Sequence, residues 1–247
     1  MSLLTHIKEC SSTNELAMQL ALEGAPHGHG VVADRQTRGR GRNKRPWYSD
    51  SDNGLWTSII LRPRFPISEF SRISLAAGVA VAEAIEQLIA QSVQLKWPND
   101  IFLANKKCGG ILAETSSLTD GSEPFVIVGI GINLCITSDQ FPEEIRETAT
   151  SLYAETSIEV DKLNLYGLIQ ANLLSLVDLM AHNGFGEILT RWRRRDLLLG
   201  KRMNWVTADR QRVKGRGLGV DDSGCYIVES ATGEKHQVIS GDLNLLI

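Results

Sequence analysis

The chain has 247 residues, a length that allows one large domain or one large and one small. With 43% hydrophobic and 22% charged residues and a mean hydropathy close to zero, it has the composition of a globular protein. A formal net charge of −3 excludes a molecule whose whole surface matches DNA, and no apolar run approaches the roughly 20 residues of a membrane helix.

The N-terminus, Met-Ser-Leu-Leu-Thr-His, has no charged region followed by an apolar core, so no secretory signal is read and a cytoplasmic location is the default. Cys10, Cys108, Cys135 and Cys225 lie far apart and form no Cys-x-x-Cys pair, which argues for reduced thiols and against a zinc site.

In chain order, Ser12-x-x-Glu15 reads as a capping box opening a helix that ends near Gly24, with Leu16 and Leu20 on its apolar face. Ser12, Thr13 and Asn14 therefore sit at a helix N-terminus, where short polar side chains either cap the helix or meet a polar ligand; spacing alone favours capping. Gly30 to Asp34 reads as a buried strand that runs into Gln36-Thr-Arg-Gly-Arg-Gly-Arg-Asn-Lys-Arg-Pro-Trp47. Arg38, Arg40, Arg42, Lys44 and Arg45 crowd around Gly39 and Gly41 with no carboxylate in the run. Such a loop suits an anion, because glycines let backbone N–H groups join guanidinium forks around phosphate oxygens. The alternatives are a solvated basic loop or an arm lying on nucleic acid.

Leu55 to Leu61 predicts a strand, and Ile73 to Ile89 a long amphipathic helix. Val93 to Trp97 reads as a strand stopped by the Pro98-Asn99-Asp100 turn, which places Lys96 at a sheet edge; most such lysines are exposed strand charges. Ile101 to Leu103, Gly110 to Glu114 and Phe125 to Ile130 are further strands, the last continuing to Asn133. Asp161 is placed to cap a helix over 162–181, and a second helix, 187–198, carries Arg191, Arg193, Arg194 and Arg195 as a solvated face. After Gly200 come short β-prone segments at 204–207, 212–220, 225–229 and 237–239, separated by glycine-containing turns. The pattern predicts an α+β fold with a mixed-sheet main domain over 1–198 and a small β-barrel over 199–247.

Ser12-Thr-Asn14, Gln36 with Gly39-Arg-Gly-Arg42, Lys96-Trp-Pro-Asn-Asp100, Lys107 before Gly110-Ile-Leu, and Gly129-Ile-Gly-Ile-Asn133 occur together in an order that closely resembles the biotin protein ligases. The resemblance covers nearly the whole chain, including Gly241-Asp-Leu-Asn-Leu, and implies the catalytic fold of biotin and lipoate ligases with a small SH3-like β-barrel behind it. It implies that biotin's carboxylate is joined to AMP using ATP and magnesium. The biotinyl group then passes to a lysine of the biotin carboxyl carrier protein of acetyl-CoA carboxylase or another biotin-dependent carboxylase.

Carried over residue by residue, the resemblance gives Lys96 and Arg40 catalytic roles and puts Ser12, Thr13, Asn14, Gln36, Arg40, Gly41, Arg42 and Lys96 around biotin. It puts Gly39, Arg40, Arg42, Trp47, Asn99, Lys107 and Asn133 around the nucleotide, with magnesium near Asp100. The chemistry agrees, since bringing a carboxylate to an α-phosphate joins two anions and requires cations. The acceptor lysine must attack as a neutral amine, and Lys96, Asp100 and simple desolvation are all left as routes for its proton.

The loop departs from the family at Asn43-Lys44, where Arg-Gly is expected, and at Arg38, where a small residue is expected; loss of that glycine predicts a stiffer loop. With only 11 residues ahead of Ser12 there is no room for a winged-helix DNA-binding domain, so no repressor role, nucleic-acid partner or membrane partner is expected. A monomer and a homodimer both fit the family. The alternative readings are a lipoate-protein ligase or related acyl-adenylate-forming transferase and, more distantly, a nucleic-acid-binding protein.

Overall fold

The computed structural model describes residues 3–116, 123–206, 212–238 and 243–245. The chain runs β1 (Leu4–Cys10), α1 (Thr13–Leu22), β2 (Gly30–Gln36), β3 (Gly54–Leu61), α2 (Ile73–Leu88), β4 (Gln94–Lys96), β5 (Asp100–Leu103), β6 (Lys106–Thr115) and β7 (Val126–Asn133). Helices α3 (Leu152–Thr156), α4 (Lys162–Asn183) and α5 (Gly186–Arg193) follow. Last come β8 (Arg202–Val206), β9 (Arg212–Val220), β10 (Tyr226–Ser230), β11 (Lys235–Val238) and β12 (Asn244–Leu245).

Strands β1 to β7 make one mixed sheet in the order β1-β2-β3-β7-β6-β5-β4. Only β1 and β2 pair in parallel, with α1 as their crossover. The central strands are covered on both faces, which is why their sequences read as unbroken apolar runs. Val31, Ile60 and Ile127 pack with Ala17 and Ala21 of α1, whereas their neighbours Val32, Ile59 and Val128 join the larger core built with α2 and α4. The expected α+β architecture is present, and β8 to β12 form a separate antiparallel sheet, in the order β11-β10-β9-β8-β12, of the expected small SH3-like kind. The predicted segments 204–207 and 237–239 fall in β8 and β11, and only their last residues, Thr207 and Ile239, lie outside the described residues, as do Gly241 and Asp242 of the predicted closing run.

Four local expectations are corrected. Strand β1 was not foreseen, because Leu-Thr-His-Ile-Lys-Glu-Cys mixes polar and apolar residues as an edge strand does. Ser12 precedes α1 but makes no side-chain cap hydrogen bond, and Glu15 instead accepts from the Ser11 hydroxyl at 2.6 Å, so the capping box is absent. Helix α4 has the length and hydropathy of a membrane span, yet Leu165, Ile169, Leu173 and Leu176 are buried in the core while Asn164, Ser175 and Asp178 are exposed. The α5 arginines are not simply a solvated face. Arg191 and, just past the helix, Arg195 pair with Glu83 at 3.5 Å and Glu86 at 2.6 Å of α2, which packs on one side of α5, and Arg193 donates to the Val220 carbonyl of β9 at 2.6 Å, where the C-terminal sheet packs on the other. Asp161 does cap α4, accepting from the Asn164 N–H at 2.7 Å.

The segment after α5 carries a half-buried carboxylate. Asp196 accepts from the Leu198 N–H at 2.8 Å and the Tyr226 hydroxyl at 3.0 Å, and burial pushes its pKa from 3.8 up to about 6. A raised carboxyl pKa means that the folded state binds the proton more tightly than the unfolded chain does. The contribution is fully present below about pH 4 and is lost as pH rises through 6. At two units and about 1.4 kcal/mol per unit, ionised Asp196 costs up to about 3 kcal/mol. Urea unfolding of Asp196→Asn beside wild type is expected to give a stability difference that shifts in the variant's favour between pH 4 and 7. A pH-independent difference would contradict the assignment.

Candidate active site

The site lies on the α1 face of the sheet, over a floor made by missing side chains. Gly129 and Gly131 of β7 alternate with Ile130 and Ile132, so the glycines face the site and the isoleucines face the core. Leu112 and Gly110 of β6 sit opposite them in register. A Cβ at Gly129 would lie 2.1 Å from Asn14 Oδ1, and one at Gly131 would lie 2.5 Å from Trp47 Nε1. Both positions therefore require glycine for close approach. Above this floor is a cavity of about 350 Å³.

One end of the cavity is polar and tightly bonded. Ser12, Thr13, Asn14 and Gln36 are all buried. Gln36 Oε1 accepts from the Thr13 N–H at 2.8 Å, using the free N–H of the helix end to hold a side chain of β2. Asn14 donates to Glu114 at 2.6 Å and, at 3.3 Å, to the Leu112 carbonyl. Ser58 donates to Asn14 Oδ1 at 2.6 Å and lies 2.7 Å from Thr13 Oγ1. Ser58 and Glu114 were not singled out from the sequence. A serine in the apolar run of β3 and a glutamate ending that of β6 were the available signals, and only the sheet register puts them beside Asn14.

The other end is cationic. Lys96 ends β4 and lines the cavity, its Nζ lying 5.8 Å from the Phe102 ring centroid. Arg42 reaches Asn99 Oδ1 at 3.4 Å, which ties the basic loop to the turn after Lys96. Asn99 in turn donates to the Ile111 carbonyl at 2.8 Å. Lys107 pairs with Asp100 at 2.6 Å and lies 5.2 Å from the Trp47 ring centroid. Trp47 Nε1 is buried with no hydrogen-bond partner, an unmet donor in the cavity wall. Asn133, also on the cavity wall, is buried and donates to the Thr150 carbonyl at 2.8 Å.

Of the candidate residues, Ser12, Thr13, Asn14, Gln36, Arg40, Gly41, Arg42, Trp47, Lys96, Asn99, Asp100, Lys107 and Asn133 all line this cavity. Gly39 does not; its backbone instead packs against Ser49 and the Trp47 carbonyl, where a Cβ would come within 2.2 Å and 2.6 Å. The cavity also has apolar walls that sequence reasoning missed, among them Tyr48, Phe141 and Leu243.

The basic loop finds its counter-charges outside its own run. Arg40 lies 3.5 Å from Glu15 and 3.9 Å from Glu114. Residues 40–46 form a small hairpin, with the Gly41 N–H donating to the Arg45 carbonyl at 2.8 Å and an Arg40–Pro46 bridge. Asn43 and Lys44 take φ values of 55° and 59°, so Lys44 adopts the left-handed backbone that glycine would favour. That conformation costs a side-chain-bearing residue about 1 kcal/mol or more. Lys44→Gly is expected to stabilise the protein by about 1 kcal/mol, read as a higher urea midpoint; an unchanged or lower midpoint would count against strain at Lys44.

Among the described residues, no three His, Cys, Asp or Glu side chains converge as a metal site. Asp100 is the one carboxylate on the described cavity wall. That donor set fits magnesium arriving with nucleotide phosphates, which takes one or two carboxylates from a protein, and does not fit an all-protein cage.

Residues 7–133 match the family model described as the biotin/lipoate A/B protein ligase family. The bifunctional ligase/repressor BirA of Bacillus subtilis is 39% identical over 239 residues, covering 95% of this chain and 71% of that protein. The biotin--[acetyl-CoA-carboxylase] ligase of Mycobacterium tuberculosis is 31% identical over 223 residues, covering 88% of this chain and 80% of that protein. Among solved structures, the biotin protein ligase from Aquifex aeolicus in complex with biotin and ATP superposes with a TM-score of 0.84 at 30% identity, covering 98% of each chain. The glycine-floored cavity, the ordered motifs and these relatives agree: the chain belongs to the biotin/lipoate A/B protein ligase family and is a ligase of the biotin protein ligase type.

Proposed function

We propose that the protein is an ATP-dependent biotin protein ligase that acts in the cytoplasm. It activates biotin as biotinyl-5'-AMP and then transfers biotin to a specific lysine of a biotin carboxyl carrier protein. Residues 1–198 form the catalytic unit and 199–247 the small β unit. The observation that carries the reading is one cavity with a bonded polar end at Ser12, Thr13, Asn14 and Gln36 and a cationic end at Lys96 and Arg42. Biotin has the matching shape, with a urea-like head, an apolar body and a carboxylate at the far end. A mostly apolar pocket with a few placed polar groups is what such a ligand requires.

In the first step a carboxylate oxygen of biotin attacks the α-phosphorus of ATP. The new O–P bond forms as the bond to the β-phosphate oxygen breaks, and pyrophosphate leaves. Lys96 and Arg42 offset the repulsion between the two anions and stabilise the charge that grows at phosphorus, with Arg40 released from Glu15 and Glu114 to join them. Trp47 offers a flat face for the nucleobase and an unmet N–H donor, with Lys107 against its ring and Asn99 and Asn133 elsewhere on the cavity wall as further nucleotide contacts. Asp100 would hold magnesium, which supplies charge neutralisation at the phosphates. In the second step the neutral acceptor amine attacks the acyl carbon, the acyl C–O bond to the AMP phosphate breaks, AMP leaves, and one amine proton is released as the amide forms. The glycine-containing hairpin covers the mixed anhydride until then, limiting its loss to water.

The test is ATP–pyrophosphate exchange with biotin and with lipoate as the competing acid. Exchange driven by biotin alone is expected. Exchange driven by lipoate alone would move the protein to the lipoate branch, and none with either acid would remove the proposed reaction.

A further inference from the structure

Strand β4 is the outermost strand of the main sheet, and an edge three residues long is a poor anchor for a side chain that must be held accurately. The structure supplies the missing anchor from the C-terminal half of the chain. The open side of β4 is covered by residues 195–197, which pair with it in parallel. The Leu95 N–H donates to the Arg195 carbonyl at 2.8 Å, and the Leu197 N–H donates to the Leu95 carbonyl at 2.9 Å. Asp196, central in that segment, takes the Tyr226 hydroxyl from β10. Tyr226 is fully buried, and its ring lies 6.0 Å from that of Trp97, centroid to centroid. The Trp97 indole N–H donates to the Gly224 carbonyl at 3.1 Å. Lys96 thus stands between two residues, Leu95 and Trp97, that are each fastened to the chain beyond α5.

We propose that Asp196 and Tyr226 are positioning residues for Lys96, a strut through which the small β-sheet fixes the strand end that carries the adenylation lysine. The role rests on the function proposed above. It makes the C-terminal sheet part of the catalytic apparatus without giving it a reacting group. Neither residue touches the Ser12 to Asn14 end of the cavity, so the strut bears on reaction geometry and not on holding biotin's head. Tyr226→Phe removes the hydroxyl and keeps the ring against Trp97. Asp196→Asn keeps the shape and one acceptor.

The experiment measures kcat and KM for biotin-dependent ATP–pyrophosphate exchange, biotin Kd by calorimetry, and thermal melting, for wild type, Tyr226→Phe, Asp196→Asn, Lys96→Arg and the Tyr226→Phe/Lys96→Arg double variant. A fall in kcat of about tenfold is expected in each strut variant, with biotin Kd within about twofold. The double variant is expected to be no slower than Lys96→Arg alone within about twofold, because both changes act on one geometry. A kcat at the wild-type level in a folded strut variant would overturn the proposal. So would a loss that multiplies with that of Lys96→Arg, or a loss of kcat and biotin binding in proportion to unfolding. If Tyr226→Phe does not fold, the Asp196→Asn comparison decides alone. Wild type without any exchange would overturn the functional reading first, and this role with it.

Discussion

Lys96→Ala is expected to lower biotin-dependent ATP–pyrophosphate exchange by about 10²- to 10³-fold, the usual effect of removing one preorganised donor from the charge that develops in a transition state. Lys96 lines the cavity at its cationic end, on the same wall as the turn that holds Asn99 and Asp100. Its ammonium lies against the Phe102 ring, so the side chain is already directed before any anion arrives. A charge placed this way interacts more strongly with the pentacoordinate phosphorus than with separated biotin and ATP, and the loss should appear mainly in kcat. Biotin affinity should fall by about tenfold, the low end of what one hydrogen bond to a charged group contributes. Exchange that recovers at saturating biotin would show that Lys96 only binds the acid and would remove its role in the chemical step.

Gly129→Ala is the second large effect, and it comes from a residue with no functional group. The added Cβ would meet Asn14 Oδ1 at 2.1 Å and Asn14 Cγ at 2.9 Å. Asn14 cannot give way cheaply, because it is buried and fixed by Ser58, Glu114 and the Leu112 carbonyl. Moving it breaks that network and leaves buried polar groups short of partners, at about 1–3 kcal/mol. Biotin Kd is therefore expected to rise by about 10- to 100-fold, with thermal stability reduced and Lys96 untouched. Ile132→Val, three residues on, facing the core and off the cavity wall, should leave biotin binding unchanged while costing about 0.5–1.5 kcal/mol of stability. Calorimetry on the pair separates the two faces of one strand. Equal effects on biotin binding would contradict the proposed polar end.

Much of the site was legible because its chemistry is carried by short contiguous runs. Gln36 to Trp47, Lys96 to Asp100 and Gly129 to Asn133 each lie at a strand end or along one strand, so most of their residues line the cavity. Only the structure showed that the alternation of glycine and isoleucine in β7 gives one face to the site and the other to the core. Glu114 and Ser58 were hidden because they meet Asn14 only through pairing of β6, β7 and β3, across a separation of up to 100 residues. The counter-charges of Arg40 were hidden for the same reason, since Glu15 belongs to α1 and Glu114 to β6.

By itself, the sequence determined the α+β class and the order of most elements, which depend on periodicity, and the family resemblance and the cationic residues, which depend on short ordered motifs. Tertiary structure alone decided three things. It made β1 a strand, by offering β2 as a parallel partner that the mixed pattern of Leu4–Cys10 could not announce. It turned Ser12 to Asn14 from a helix cap into a buried cavity wall, because β3 and β6 bring competing hydrogen-bond partners to that helix end. It also tied Asp196, Tyr226 and Trp97 into one contact beside Lys96, linking residues up to 129 positions apart (Trp97 to Tyr226) that only the packing of two sheets can bring together.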